Sequence, residues 1–184
     1  MKELYKLKQF CKLKEISRVT KVKNRSESPA EHTWSSIILA TYFLKKLDIK
    51  LDESRVFKLL LYHDVVEIES GDTFELDTES ADVEEKERKA FAEVLKRIPA
   101  ELTQEYSEAF SEYLEYNTPE SKFAHAIDRL EPMVHQLDYK SSWKYYGYTE
   151  KVLSEKKRKY MEPFPELLEF YDKFIKYLKD NNYI

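Results

Sequence analysis

VFKLLLYHDVVEIESGD, residues Val56 to Asp72, decides how the rest of the chain is read. It is apolar at helical spacing, has no proline, and meets its first glycine at Gly71. It therefore predicts a helix capped by Asp52 and ending near Gly71. At about 100° per residue, Arg55, Lys58 and Glu69 share one arc, which is the solvated side. His63, Asp64 and Glu67 fall roughly opposite, interleaved with Val56 and Leu60. The flanking Leu59, Leu60, Leu61, Tyr62, Val65, Val66 and Ile68 leave only the first arc to water. Three ionisable groups at i, i+1 and i+4 then project inward, where a carboxylate is costly unless it is paired or coordinates a cation. Three readings are open on these residues alone. The helix could lie on the surface with its charges solvated, or the three groups could form a structural ion-pair cluster, or a divalent metal could sit against the inward face.

Composition narrows the class. The chain has 184 residues, 36% charged and 42% apolar, with two Gly and six Pro. That length supports a real core, and the scarcity of Gly and Pro points to a folded helical protein. One all-α domain over residues 1–184 is expected. Lys and Arg number 31 against 35 Asp and Glu, a net charge of −4, so no nucleic-acid polymer is expected as a partner. The basic opening (Lys2, Lys6, Lys8, Lys12, Lys14, Arg18, Lys21, Lys23, Arg25) is a local exception. A single cysteine, Cys11, excludes an intrachain disulfide and suits a reducing compartment. No signal-peptide core and no run of about eighteen apolar residues is present. A cytoplasmic location without a membrane partner is expected.

In chain order, residues 3–16 place Leu4, Leu7, Phe10, Cys11 and Lys14 on one face of an amphipathic first helix. The next stretch, SRVTKVKNRSES, reads as a loop carrying Arg18 and Arg25. Ser28 and Pro29 open a second helix as cap and first residue, with Glu31 in its first turn. Its core stripe is His32, Ser36, Leu39, Ala40, Phe43 and Leu47. After Gly71, residues 73–81 read as a loop over the site. Helices follow over 82–97, with an apolar edge of Val83, Ala90, Phe91, Val94 and Leu95, and over 99–116. The second of these has the stripe Leu102, Tyr106, Ala109, Phe110, Tyr113 and Leu114.

Thr118 and Pro119 open the next helix, with Phe123, Ile127, Leu130, Val134 and Leu137 as its apolar face. Asp128 lies on the other side with Ala124, Glu131 and His135, where periodicity reads it as solvated, while Pro132 predicts a kink. A loop around Gly147, a charged helix to about Tyr160 and a final helix with the stripe Leu167, Leu168, Tyr171, Phe174, Ile175 and Leu178 complete the chain. The aromatic density of 14% suits bundle packing or a subunit interface, and a homodimer is expected.

A bare His-Asp pair carries no signal. The longer pieces SPAEH (Ser28 to His32), HDVVEIESGD (His63 to Asp72) and ESKFAHAID (Glu120 to Asp128), in this order, resemble the HD-domain metal-dependent phosphohydrolases. Within that family the chain is similar to the 5′-deoxynucleotidase branch, from Arg18 through Asp128 and weakly beyond. The resemblance implies a helical bundle with a metal site in its core, where His32, His63, Asp64 and Asp128 ligate one divalent ion (Mn, Co, Mg, Ni, Fe or Zn). It implies that Glu67 handles protons, that Arg18 contacts the substrate phosphate, and that Asp72 faces the sugar and belongs with Glu67 to the catalytic group. The implied reaction is hydrolysis of (deoxy)nucleoside 5′-monophosphates to nucleoside and phosphate, a small-molecule substrate.

Two positions depart from the pattern: Val19 stands where an aromatic residue is usual beside the Arg, and His125 where a Lys is common. Two other functions stand as alternatives. A binuclear HD phosphodiesterase needs further His ligands between the His-Asp pair and the last Asp, an interval that holds only His125. A catalytically silent nucleotide-binding or interaction module is the other, against which stands the retained Glu67.

Overall fold

The computed structural model describes residues 1–72 and 81–184, and side chains from residue 85 onward in the second stretch. The loop expected over 73–81 lies outside the described residues except for Ala81, which begins a helix. Helices dominate, as expected for an all-α bundle. They are α1 (Lys2–Leu7), α2 (Pro29–Lys46), α3 (Glu53–Tyr62), α4 (Glu67–Ser70), α5 (Ala81–Arg97), α6 (Ala100–Glu115) and α7 (Pro119–His135). They continue with α8 (Lys140–Tyr145), α9 (Glu150–Leu153), α10 (Lys159–Met161) and α11 (Pro165–Asp180).

The first helix is a correction. After α1 the chain tightens into a 3-10 helix, Lys8–Lys14. Leu4 and Leu7 stay exposed, as does Cys11, and Leu13 is the residue buried. At about three residues per turn the inward stripe becomes Phe10, Leu13 and Ile16, all of which touch the core. The expected loop after it holds a two-rung antiparallel hairpin, β1 (Lys21–Val22) and β2 (Arg25–Ser26), turned at Lys23 with φ 54°. Its ladder extends through Arg18 N–H to Glu27 O and Glu27 N–H to Thr20 O, at 2.8 and 2.9 Å. That pairing carries Arg18 and Glu27 inward together.

α2 begins as its sequence predicts. The Ser28 side chain accepts from the Glu31 amide and Glu31 reaches back to Ser28, a capping box with Pro29 in the first turn. His32 and Ser36 are fully buried on this helix, with Ala40 and Phe43 behind them.

The helix expected to run unbroken to Gly71 is interrupted at residues 63–66. His63 Nδ1–H donates to the Leu60 carbonyl at 2.7 Å, the acceptor a continuous helix would offer to the Asp64 amide. The chain tightens instead, with the amides of Val65, Glu67 and Ile68 bonding three residues back to Tyr62, Asp64 and Val65. Gly71, at φ 72°, then ends α4 in a conformation that favours glycine.

α7 is the central helix. It packs against α2, α3, α6 and α10, so the face read as solvated is also covered: Ala124, Asp128 and Glu131 are buried. On α6, Tyr106, Ala109, Phe110 and Tyr113 are buried as expected, but Leu114 is exposed and lines the pocket described below. Near the C-terminus the charged segment winds α-helical through α9, widens to π-helical turns over Ser154–Arg158, and closes as α10. The widening turns Lys157 inward, where its ammonium donates to the Arg129 carbonyl at 3.0 Å. α11 buries Leu167, Tyr171, Phe174, Ile175 and Leu178, the expected stripe with Leu168 partly covered. No helix among the described residues is long and apolar enough to cross a membrane.

Candidate active site

Two helices and one turn converge beneath a pocket. α2 supplies His32, the turn after α3 supplies His63 and Asp64, and α7 supplies Asp128. His32 Nε2 stands 3.0 Å from Asp128 Oδ1 and 4.0 Å from Asp64 Oδ2. His63 Nε2 stands 3.1 Å from Asp64 Oδ1 and 3.7 Å from Asp128 Oδ1. Donor atoms from His32, His63 and Asp128 all lie within 4.8 Å of one another. Ligands sharing one ion at about 2.1 Å stand about 3 Å apart across a right angle, so these spacings fit a single first-row divalent ion.

The outer bonds support the same assignment. Each imidazole is committed at Nδ1, His32 to Glu131 Oε2 at 2.7 Å and His63 to the Leu60 carbonyl at 2.7 Å. That leaves Nε2 of each ring directed at carboxylate oxygens, and His63 Nε2 is buried without a hydrogen-bond partner among the described residues. Glu131 is itself held by the Ser35 hydroxyl at 2.7 Å. The Tyr113 hydroxyl donates to Asp128 Oδ2 at 2.8 Å, turning Oδ1 toward the two histidines. Sequence alone does not single out Glu131 or Tyr113 as site residues. Glu131 carried a signal, since it lies one turn beyond Asp128 on the same face.

An HD domain model matches residues 10–168. The chain belongs to the HD-domain family. It is accordingly an enzyme of the HD-type phosphohydrolase class. The 5′-deoxynucleotidase HDDC2 of Xenopus laevis is 27% identical over 165 residues, which span 85% of this chain and 81% of that one. The human protein of the same name is 26% identical over 116 residues, 62% of this chain and 55% of that one. Among solved structures, a predicted metal-dependent phosphohydrolase from Magnetospirillum magnetotacticum MS-1 superposes with a TM-score of 0.87. It is 31% identical, covering 100% of this chain and 94% of that one. An HD-domain phosphohydrolase from Listeria innocua shares the fold, with a TM-score of 0.62 at 18% identity, covering 95% of this chain and 84% of that one.

Around the HD cluster, Arg18 Nη1 bridges Asp64 Oδ2 at 3.2 Å and Asp72 Oδ1 at 3.5 Å. Burial works against its charge, but Asp64, Glu67, Asp72 and Asp128 outweigh burial and hold its pKa above the ordinary arginine value. Glu67 experiences the reverse. Burial, reinforced by the charge of Asp64, pushes its carboxyl up to about 10 against the pull of Arg18. Burial and Asp64 also raise Asp72. For Asp128, burial is opposed by Arg129 and by both histidines, which hold it well below the carboxylate range. For the histidines, burial disfavours protonation, yet the adjoining carboxylates prevail and raise both. The cluster therefore calls for positive charge, supplied by protons where no ion is bound.

Neither of the two other histidines of the chain reaches this cluster. His125 Nε2–H donates to the Tyr113 carbonyl at 2.8 Å, and its ring stacks on Tyr113 at 3.8 Å and on Tyr160 at 5.7 Å. It packs α6 onto α7 and does not line the pocket. His135 Nε2–H donates to the Lys21 carbonyl. Of the two departures from the family pattern, only Val19 lines the pocket, and its carbonyl accepts from the Tyr146 hydroxyl at 3.5 Å.

Proposed function

We propose that this HD-type phosphohydrolase removes phosphate from (deoxy)nucleoside 5′-monophosphates with one divalent ion held by His32, His63, Asp64 and Asp128, its 184 residues working as one domain. The observation that carries the reading is the convergence of two Nε2 atoms and two carboxylates under a pocket that also holds Arg18 and the half-buried Glu67. When bound, the ion supplies Lewis-acid polarisation of the phosphoryl group and an acidified water. Arg18 offers its planar fork to the phosphate oxygens once substrate displaces its contacts with Asp64 and Asp72. Glu67, kept protonated by burial, delivers a proton to the departing 5′-oxygen. Asp72, beyond Gly71 and against Arg18, accepts a hydrogen bond from the sugar.

The likeness to the HDDC2 proteins supports a nucleotide substrate. The binuclear alternative finds no support in the positions of His125 and His135. A homodimer is proposed from Trp34, Ile38 and Tyr42, exposed at i, i+4 and i+8 on α2. The test of function is phosphate release from a panel of deoxynucleoside and ribonucleoside monophosphates, with and without Mn²⁺ or Co²⁺. Metal-dependent release is expected, with kcat/KM favouring the deoxy sugar by roughly 10-fold or more and the preference falling in Asp72→Ala. No release from any nucleotide with either metal would overturn the substrate reading.

A further inference from the structure

α7 does more than deliver Asp128. Asp128, Arg129, Pro132, Met133 and the following Gln136, at i, i+1, i+4, i+5 and i+8, all line the pocket. Those positions form one face of a helix. The pocket thus runs along α7 from Asp128 to Gln136, roughly 12 Å at about 1.5 Å per residue. This is the distance scale from the phosphorus of a nucleoside monophosphate to the far edge of its base.

The Gln136 end is built differently from the metal end. Trp143 is 2% exposed, lines the pocket, and donates its indole N–H to the Gln136 carbonyl at 3.0 Å. The Gln136 residue is 8% exposed, lines the same pocket, and its Oε1 is buried with no hydrogen-bond partner among the described residues. A buried amide oxygen without a donor is destabilising and calls for a partner. An amide carries an acceptor beside a donor, the complement of an N–H next to a ring acceptor on a nucleobase edge. The neighbouring aromatic and apolar side chains suit the flat faces of such a base.

Building on the nucleotide reading above, we propose that Gln136 is the base-reading residue of this enzyme. Rotation of its amide turns Oε1 from its buried position into the pocket, where it accepts an N–H from the edge of a nucleobase lodged against Trp143 and Met133, while the phosphate lies at the Arg18 end. Gln136 then determines how strongly the enzyme prefers a base-bearing substrate over a bare sugar phosphate.

The chain has two tryptophans, and Trp34 is on the surface, so in a Trp34→Phe background emission reports on Trp143 alone. Phosphate-free deoxynucleosides are titrated against this emission, beside 2-deoxyribose 5-phosphate, in that background and with Gln136→Met or Gln136→Leu added. Saturable quenching by nucleosides but not by the sugar phosphate is expected, weakened about 10-fold by either substitution. In turnover, the ratio of kcat/KM for deoxynucleoside monophosphates to that for 2-deoxyribose 5-phosphate should fall by a similar, roughly 10-fold factor. No quenching by any nucleoside, quenching indifferent to Gln136, or an unchanged ratio overturns the proposal. Gln136-dependent quenching in a protein that releases no phosphate sustains the base site and removes the hydrolytic substrate reading instead.

Discussion

His32 and His63 are each tied at Nδ1 to an oxygen behind them, which fixes the ring and leaves Nε2 facing carboxylates. Such outer bonds set the tautomer that a metal-binding imidazole needs. In the metal-free protein both rings are raised above the ordinary value of 6.5, burial being outweighed by Glu131 and Asp128 around His32 and by Asp64 and Asp128 around His63. Mn²⁺ must displace those protons. Calorimetry in buffers of different ionisation enthalpy should therefore show proton release on Mn²⁺ binding. Affinity should climb as pH rises above 6.5. A pH-independent affinity would remove these histidines as ligands, as would unchanged metal content in His63→Ala and Asp64→Ala.

Glu67 gives a second residue-scale test. Glu67→Gln should keep the metal and lose roughly 10²-fold or more in kcat. Its folded carboxyl sits at about 10 against 4.5 when unfolded, so above 4.5 the unfolded chain releases a proton that the folded one retains. Glu67's contribution to metal-free stability is therefore fullest below 4.5 and declines as pH rises toward about 10. Glu67→Gln abolishes that decline, and its gain in Tm over the metal-free wild type should widen from acid to neutral pH. A constant offset would mean that burial of this carboxyl is not the cause.

Among the elements, the joint between α6 and α7 is held in part by His125. α6 ends at Tyr116 with φ 52°, leaving late carbonyls in need of donors, and His125 on α7 donates to that of Tyr113. Burial pushes His125 down to about 4, from 6.5 in the open chain. The neutral ring is thus favoured in the fold. The unfolded chain takes up the proton first, so His125's contribution to stability is full above 6.5 and is lost as pH drops toward 4. His125→Gln should flatten stability against pH in that window, measured by denaturant titration. Because the Tyr113 hydroxyl also holds Asp128, the variant should weaken Mn²⁺ binding as well. An unaltered pH slope would assign the acid sensitivity elsewhere.

For the molecule as a whole, the outer face of α2 is one apolar surface that the packed bundle leaves uncovered. Trp34, Ile38 and Tyr42 are 68%, 53% and 52% exposed, a contiguous apolar stripe of the kind that marks contact surfaces. Sedimentation should find wild type as a dimer and Trp34→Lys shifted to monomer, with metal content unchanged because His32 faces the other side of the helix, fully buried. A monomeric wild type would leave the stripe without this role.

Local chemistry is legible in the chain. It set the capped start of α2, the glycine that ends α4, the stripe of α11, and the grouping of His63, Asp64 and Glu67 within one stretch. These depend on neighbours within a turn or two, which periodicity and capping report directly. Periodicity placed His32 toward the core for the same reason, while only family resemblance singled out Asp128.

Tertiary structure decided the rest. Asp128 and Glu131 read as solvated because a wheel assumes one wet face, and α7 has none where α2, α3, α6 and α10 close around it. The break after Tyr62 followed from an imidazole competing for a backbone carbonyl, and the inward turn of Lys157 accompanied a widened helix. Neither leaves a periodic trace. The histidine and carboxylate cluster unites residues 32, 63, 64 and 128, and contacts at such separations are set by how the helices pack, which no local pattern encodes.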